Sequence, residues 1–175
     1  PRPRGPPAPC APRTAPGPPG APPRADAMTP TRPGFALGSL TADCAPVLFA
    51  DRRARVIAAA HAGWRGALDG VVEAAFDAMA ALGATAGETV AAVGPCIGQA
   101  SYEVGPEFRE AFVTAHADNA GYFVPSTRPG HHMFDLAGYV AGRLGGLGLA
   151  SVEVLGLDTC ADEARCFSYR RARPP

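Results

Sequence analysis

The chain has 175 residues, 47% of them apolar, and its 16 basic residues are all Arg and balance 16 acidic ones, so its formal charge is zero. That length suggests one domain; a neutral chain has no electrostatic reason to bind nucleic acid or an anionic membrane, and a chain without lysine cannot use a catalytic lysine or a Schiff base. The 5 scattered cysteines form no secreted disulfide framework, no stretch nears the ~18 apolar residues of a membrane span, and no apolar signal core opens the sequence, so a reduced, cytoplasmic setting is expected.

Most of the prolines lie in residues 1–33. Residues 1–24 (PRPRGPPAPCAPRTAPGPPGAPPR) have too little apolar surface to offset their ordering entropy and are expected to form a Pro/Arg-rich disordered or polyproline-like tail. FALGSL (Phe35–Leu40) reads as a short strand. PVLFA (Pro46–Ala50) and RVIAAAH (Arg55–His61), joined by the polar turn DRRA, predict a hairpin or a pair of adjacent strands. GALDGVVEAAFDAMAALG then places Leu68, Val71, Val72, Ala75, Phe76, Met79 and Leu82 at helical spacing, with Gly83 where a C′ glycine belongs. TVAAV (Thr89–Val93) is a strand opening into the loop GPCIGQASYEVG. Pro106 can start a helix running to about Ala115. Asp135 can cap another carrying Leu136, Val140, Leu144 and Leu147. SVEVLGL (Ser151–Leu157) is the last strand, followed by the irregular DTCADEARCFSYRRA. Helices interleaved with short strands predict a mixed α/β fold.

Cys44 follows Asp43 just before the first hairpin strand, and His61 ends the second. If the strands are antiparallel neighbours, both side chains reach the same end of the sheet. Thiolate and imidazole are zinc donors; the same pair serves as a nucleophile with its base, and buried cysteine is also common in plain packing. HAGWRG sets Gly63 and Gly66 around Trp64 and Arg65, allowing close backbone approach and paired donors for an anion. GPCIG (Gly94–Gly98) is a glycine-bracketed turn leaving a strand, where α/β proteins commonly hold ligands. HHMFD (His131–Asp135) reads as a solvated turn before a helix. CFSYRR joins Phe167 and Tyr169 to Arg170 and Arg171, either as a strand with an exposed basic end or as a place for a base and a phosphate. Cys160 and Cys166 lack CxxC spacing, which argues against a zinc knuckle.

Taken in order, TADCAPVLFAD, HAGWRGALDGVVEA, AVGPCIGQASYEVGPEF, FDLAGYVAGRL, the DTC of Asp158–Cys160 and FSYRR resemble the multicopper polyphenol oxidase (laccase-domain) proteins, also described as the YfiH or purine nucleoside phosphorylase family. The resemblance covers about Arg24 to Arg171. It implies a single-domain α/β/α sandwich with a mixed sheet over residues 25–175 and a mononuclear zinc site in which Cys44 and His61 are two of three protein ligands; copper enters through the family description. It also implies phosphorolysis of adenosine, inosine, guanosine and methylthioadenosine, and deamination of adenosine. The partners would then be a purine nucleoside and phosphate, in a monomer or homodimer. On that reading Asp43 is the candidate proton shuttle, Arg65 or Arg170 the phosphate holder, and Tyr169 or Phe167 the ring stacked on the base. A role in peptidoglycan editing is attributed to some family members.

The third family ligand is a histidine in a QVH-type motif upstream of ADA. Here ADA is Ala25–Ala27, and no histidine precedes it. The domain is therefore expected to lack its usual N-terminal part and its last C-terminal strand; His131 or His132 could stand in only if that loop lies over the site, and HH here reads as an ordinary family segment rather than a ligand. The competing readings are a zinc-free Cys–His amide hydrolase with Cys44 as nucleophile and His61 as base, and a non-catalytic remnant of the family. Phenol oxidation is disfavoured, because several coppers need many histidines and the 4 present include no HxH pair.

Overall fold

The computed structural model describes residues 11–13, 26–30, 34 and 36–173. Two short strands, β1 (Ala11–Arg13) and β2 (Ala27–Pro30), pair in parallel. The hairpin expected from the sequence follows as β3 (Ala45–Asp51) and β4 (Val56–Ala62). Its alternation is that of a half-buried strand pair. Ala45, Val47 and Phe49 face the core opposite Ala62, Ala60 and Ala58, while Leu48 and Ile57 point the other way.

The apolar helical stretch forms two helices, not one: α1 (Trp64–Leu68) and α2 (Val71–Ala80). The break lies at Gly70, whose φ of 92° is left-handed and cannot continue a right-handed helix. The predicted C′ glycine is present: Gly83 has φ 97°, and the N–H groups of Gly83 and Ala84 bond to the carbonyls of Ala80 and Met79.

The remaining elements are β5 (Thr89–Val93), β6 (Glu103–Val104), α3 (Pro106–Ala115), β7 (Phe123–Pro125), β8 (His132–Phe134), α4 (Leu136–Gly145), β9 (Ser151–Val154) and α5 (Tyr169–Ala172). Pro106 opens α3, and the Asp135 carboxylate caps α4 by accepting from Gly138 N–H at 2.8 Å. The main sheet runs β1-β2-β4-β3-β5-β9, mixing parallel and antiparallel pairs, and the smaller one runs β6-β8-β7. The mixed α/β class and mixed sheet are as expected. Helix α2 packs on β2 and β4, and α4 on β3, β5 and β9. Val47, Val72, Val93, Met79, Val140 and Leu144 fill the layer between them. A second core of rings lies beside the small sheet, with Phe123 and Phe134 stacked at 4.7 Å and Phe112 edge-on to Tyr139 at 4.9 Å.

Four local expectations need correcting. Residues 36–40 form no strand: Leu40 is 96% exposed, so nothing rewards its extension, and β2 fills the place beside β4; Phe35 lies outside the described residues. β9 stops at Val154, and Gly156 turns the chain with φ 68°. In HHMFD, His132–Phe134 is a strand held between β6 and β7, not a solvated turn. In CFSYRR, Ser168 caps the short helix α5 by accepting from Arg171 N–H, so the segment is not a strand. Of the expected tail, only 11–13 are described, and they form β1; the rest of that expectation lies outside the described residues. Among the described residues no helix is long and apolar enough to cross a membrane.

Candidate functional site

The hairpin register sets His61 opposite Pro46. Carried two residues further along, it brings Cys44 level with Gly63. The contact is close, since a Cβ built on Gly63 would stand 3.1 Å from Cys44 Sγ. The glycine thus provides the room the thiol occupies. At the same sheet end, His61 donates its main-chain N–H to Asp26 O at 2.7 Å. Its ring Nε2 is buried and has no hydrogen-bond partner. A buried polar atom left unsatisfied costs roughly 1–3 kcal/mol, so this nitrogen requires an explanation.

Asp43 binds the surrounding loops together. It sits at φ 77°, a left-handed position that aspartate tolerates better than most residues, and is buried. Oδ1 accepts from Thr159 Oγ1 at 2.7 Å, and Oδ2 from Ser168 Oγ at 3.0 Å and Arg170 N–H at 2.7 Å. Its carbonyl accepts from Ile97 N–H at 2.9 Å. TADC, GPCIG, DTC and FSYRR, far apart in the sequence, therefore meet on one residue. Arg171 adds to this by donating to the carbonyls of Thr159, Cys160 and Cys166. Asp158 also helps. Burial alone would raise its pKa, but donors from Gly98, Ser101, Cys160 and Ala161 outweigh that and hold the carboxyl below its usual range.

Two residues here were not singled out from the sequence. Cys96 is buried, and its thiol is pushed up to about 12, chiefly by burial, with the charges of Asp135, Asp158, Cys44 and Asp43 adding to it. Tyr102 is raised above its ordinary range by burial and by the Cys44 charge, with Arg170 opposing. Both therefore lie within electrostatic reach of Cys44. The Arg170 guanidinium carbon stands 5.1 Å from the Tyr102 ring centroid, and Nη1 donates to Glu103 O at 2.8 Å. The only sequence signal for Tyr102 was its place in the loop after GPCIG. The structure thus gathers Cys44, His61, Asp43 and Arg170. Arg65 is exposed, with its guanidinium 4.7 Å from the Trp64 ring, and Tyr169 and Phe167 are 60% and 92% exposed.

Residues 10–174 match the model of a family described as multi-copper polyphenol oxidoreductase laccase. The chain belongs to that family. Among its relatives, a purine nucleoside phosphorylase of Pseudomonas aeruginosa is 46% identical over 85% of this chain and 60% of its own length. Purine nucleoside phosphorylase YfiH of Escherichia coli is 36% identical over 85% of this chain and 59% of its own. The crystal structure of a Neisseria meningitidis protein superposes with a TM-score of 0.77 at 36% identity, covering 87% of this chain and 61% of that one. This laccase-family chain therefore spans about three-fifths of the length of the relatives it matches.

A metal ion suits part of this laccase-family site. A thiol and a buried, unpartnered imidazole nitrogen at one end of the sheet are donor types suited to zinc. Among the described residues, however, no group of three or more His, Cys, Asp or Glu is placed to hold an ion. Neither His131 nor His132 completes the set among the described residues. His131 Nδ1 lies 3.1 Å from Pro129 O, and His132 Nδ1 is buried without a partner.

Proposed function

We propose that this chain carries the metal-binding end of a zinc-dependent purine nucleoside enzyme. Its reactions would be phosphorolysis of adenosine, inosine, guanosine and methylthioadenosine, and deamination of adenosine. One observation carries the reading: the buried, partnerless Nε2 of His61 lies at the sheet end where the hairpin register also brings Cys44. The names of the relatives supply the substrate class. Cys44 and His61 would hold the ion, and a bound zinc would supply a Lewis acid and a water whose pKa falls to about 7. A catalytic zinc normally has three protein ligands, so two alone bind it weakly and a third donor sets the affinity.

The chain's own residues divide the remaining work. Asp43, whose carboxylate accepts from Thr159, Ser168 and Arg170, would be the group that moves a proton during deamination. In phosphorolysis a phosphate oxygen bonds to ribose C1′ as the C1′–N9 bond breaks. The electron pair leaves on the purine, which takes up a proton. An arginine, Arg170 or Arg65, neutralises the phosphate. The exposed ring of Tyr169 offers a face for the base.

The test joins metal analysis to an assay with adenosine and phosphate, scored for inosine, adenine and ribose phosphate. Wild type should hold zinc and consume adenosine, and Cys44→Ser and His61→Ala should lose both. Equal zinc content and equal turnover in all three proteins would refute the reading.

A further inference from the structure

Helices α2 and α4 cover one face of the main sheet, packing with Val47 and Val93. On the other face the register forms two rows across the strands. Ala59, Leu48 and Ala92 lie abreast in one, and Ile57, Ala50 and Val90 in the next. All six are apolar. An antiparallel sheet with one face in water carries polar residues on that face, whereas strands apolar at every position are those covered on both sides. Yet Leu48 is 60% exposed, and Ile57 and Val90 are each 40% exposed. Leu37, from the segment before β3, reaches only the margin of the groove they form. A continuous apolar patch of this kind marks a surface where another chain binds.

The charges at its rim identify the occupant. Arg52 lines the groove from the β3–β4 turn, and Glu153 lines it from the edge strand β9, level with Ala92. Both are exposed, and among the described residues neither is in an ion pair. A face that carries both signs at separate places is complementary to itself under a two-fold rotation. The formal charge of zero adds no repulsion between copies. We propose that this face binds a second copy of the chain, with Leu48, Ile57 and Val90 at the centre of the contact and Arg52 set against the partner's Glu153 at both ends. His61 stands on the same face, opposite Pro46 and beyond Ala59 along β4, so the bound copy lies alongside the candidate site.

Sedimentation velocity over a range of protein concentrations tests the contact. Wild type should form a dimer and nothing larger. Leu48→Lys puts a charge at the centre of the face and should weaken dimerisation about a hundredfold or more. Leu48 is exposed in the single chain, so this variant should stay folded by circular dichroism. Arg52→Glu and Glu153→Arg each set like charges together twice in a two-fold contact, and each should weaken the dimer about tenfold or more. The double variant carrying both substitutions reverses the two signs together and should recover to within about threefold of wild type.

Four results would overturn the interface. A wild type that stays monomeric up to ~100 µM would leave the face to a different polypeptide. A dimer that Leu48→Lys leaves intact would place the contact elsewhere on the surface. A double swap that dimerises no better than the single ones would remove the reciprocal pairing of Arg52 and Glu153. Association that continues past the dimer would rule out a closed two-fold contact.

Discussion

The Cys44 sulfur lies 3.1 Å from the point where a side-chain carbon on Gly63 would stand. Gly63 itself has ordinary extended angles, φ −69° and ψ 163°, so alanine meets no backbone objection there. The added methyl can be accommodated only by moving the thiol a few tenths of an ångström. Gly63→Ala is therefore expected to cost about 1 kcal/mol of stability through overpacking. It should cost more in zinc affinity, because metal–ligand distances tolerate only about 0.2 Å. A melting curve and a zinc titration on the same variant check this. Unchanged zinc affinity would mean that the thiol is not held against position 63.

Asp43 anchors loops that begin 116 and 125 residues further along the chain. Asp43→Ala removes the acceptor for Thr159, Ser168 and Arg170, and places a Cβ-bearing residue other than Asp or Asn at φ 77°. The loss should be roughly 3–5 kcal/mol, from stranded buried donors plus left-handed strain. Asp43→Asn tolerates the left-handed angle and keeps one acceptor oxygen, so it should cost about half as much. Urea unfolding of the two variants gives the comparison. A loss below ~1 kcal/mol for the alanine would show that the loops hold together without this carboxylate.

The sequence-legible parts were those whose cause is local. The hairpin alternation, the Gly83 terminus, β5 and the Asp135 cap each follow from residues within a few positions of one another. Cys44 and His61 could be assigned to one sheet end because a tight turn makes their strands antiparallel neighbours. Gly70 was misread because its left-handed φ of 92° lies inside an unbroken apolar period. β8 was missed because a three-residue strand exists only through its partners β6 and β7. Tyr102 and the contacts of Asp43 were out of reach for the same reason: the residues that define them come from elsewhere in the chain.

Asp51 closes the β3–β4 turn by accepting from Ala54 N–H at 2.8 Å and from Thr85 N–H at 2.9 Å. Those bonds favour its ionised form and hold its carboxyl below the usual range. A folded pKa lying below the unfolded one means that the unfolded chain binds the proton more readily. The stabilisation is then complete above the ordinary carboxylate range and is lost as pH falls toward the lowered value. Unfolding midpoints measured from ~pH 5 to ~pH 2 should drop for wild type, and more gently for Asp51→Asn, which has no such proton to take up. Parallel acid limbs would show that Asp51 is not the linked group.

Cys96 offers a test of whether the GPCIG loop stays closed. Its thiol is 3% exposed and is pushed up to about 12, mainly by burial. At pH 8 burial keeps the thiol protonated and the reactive thiolate scarce. Iodoacetamide at that pH should leave Cys96 unlabelled in the folded protein while the half-buried Cys160 and Cys166 react, and should label all three after unfolding. Peptide mapping by mass spectrometry reads the positions. Labelling of Cys96 at the rate of Cys160 in folded protein would mean that the loop opens on the timescale of alkylation. The hydrogen bonds from Cys96 N–H to Leu157 O and from Ile97 N–H to Asp43 O would then not keep it shut.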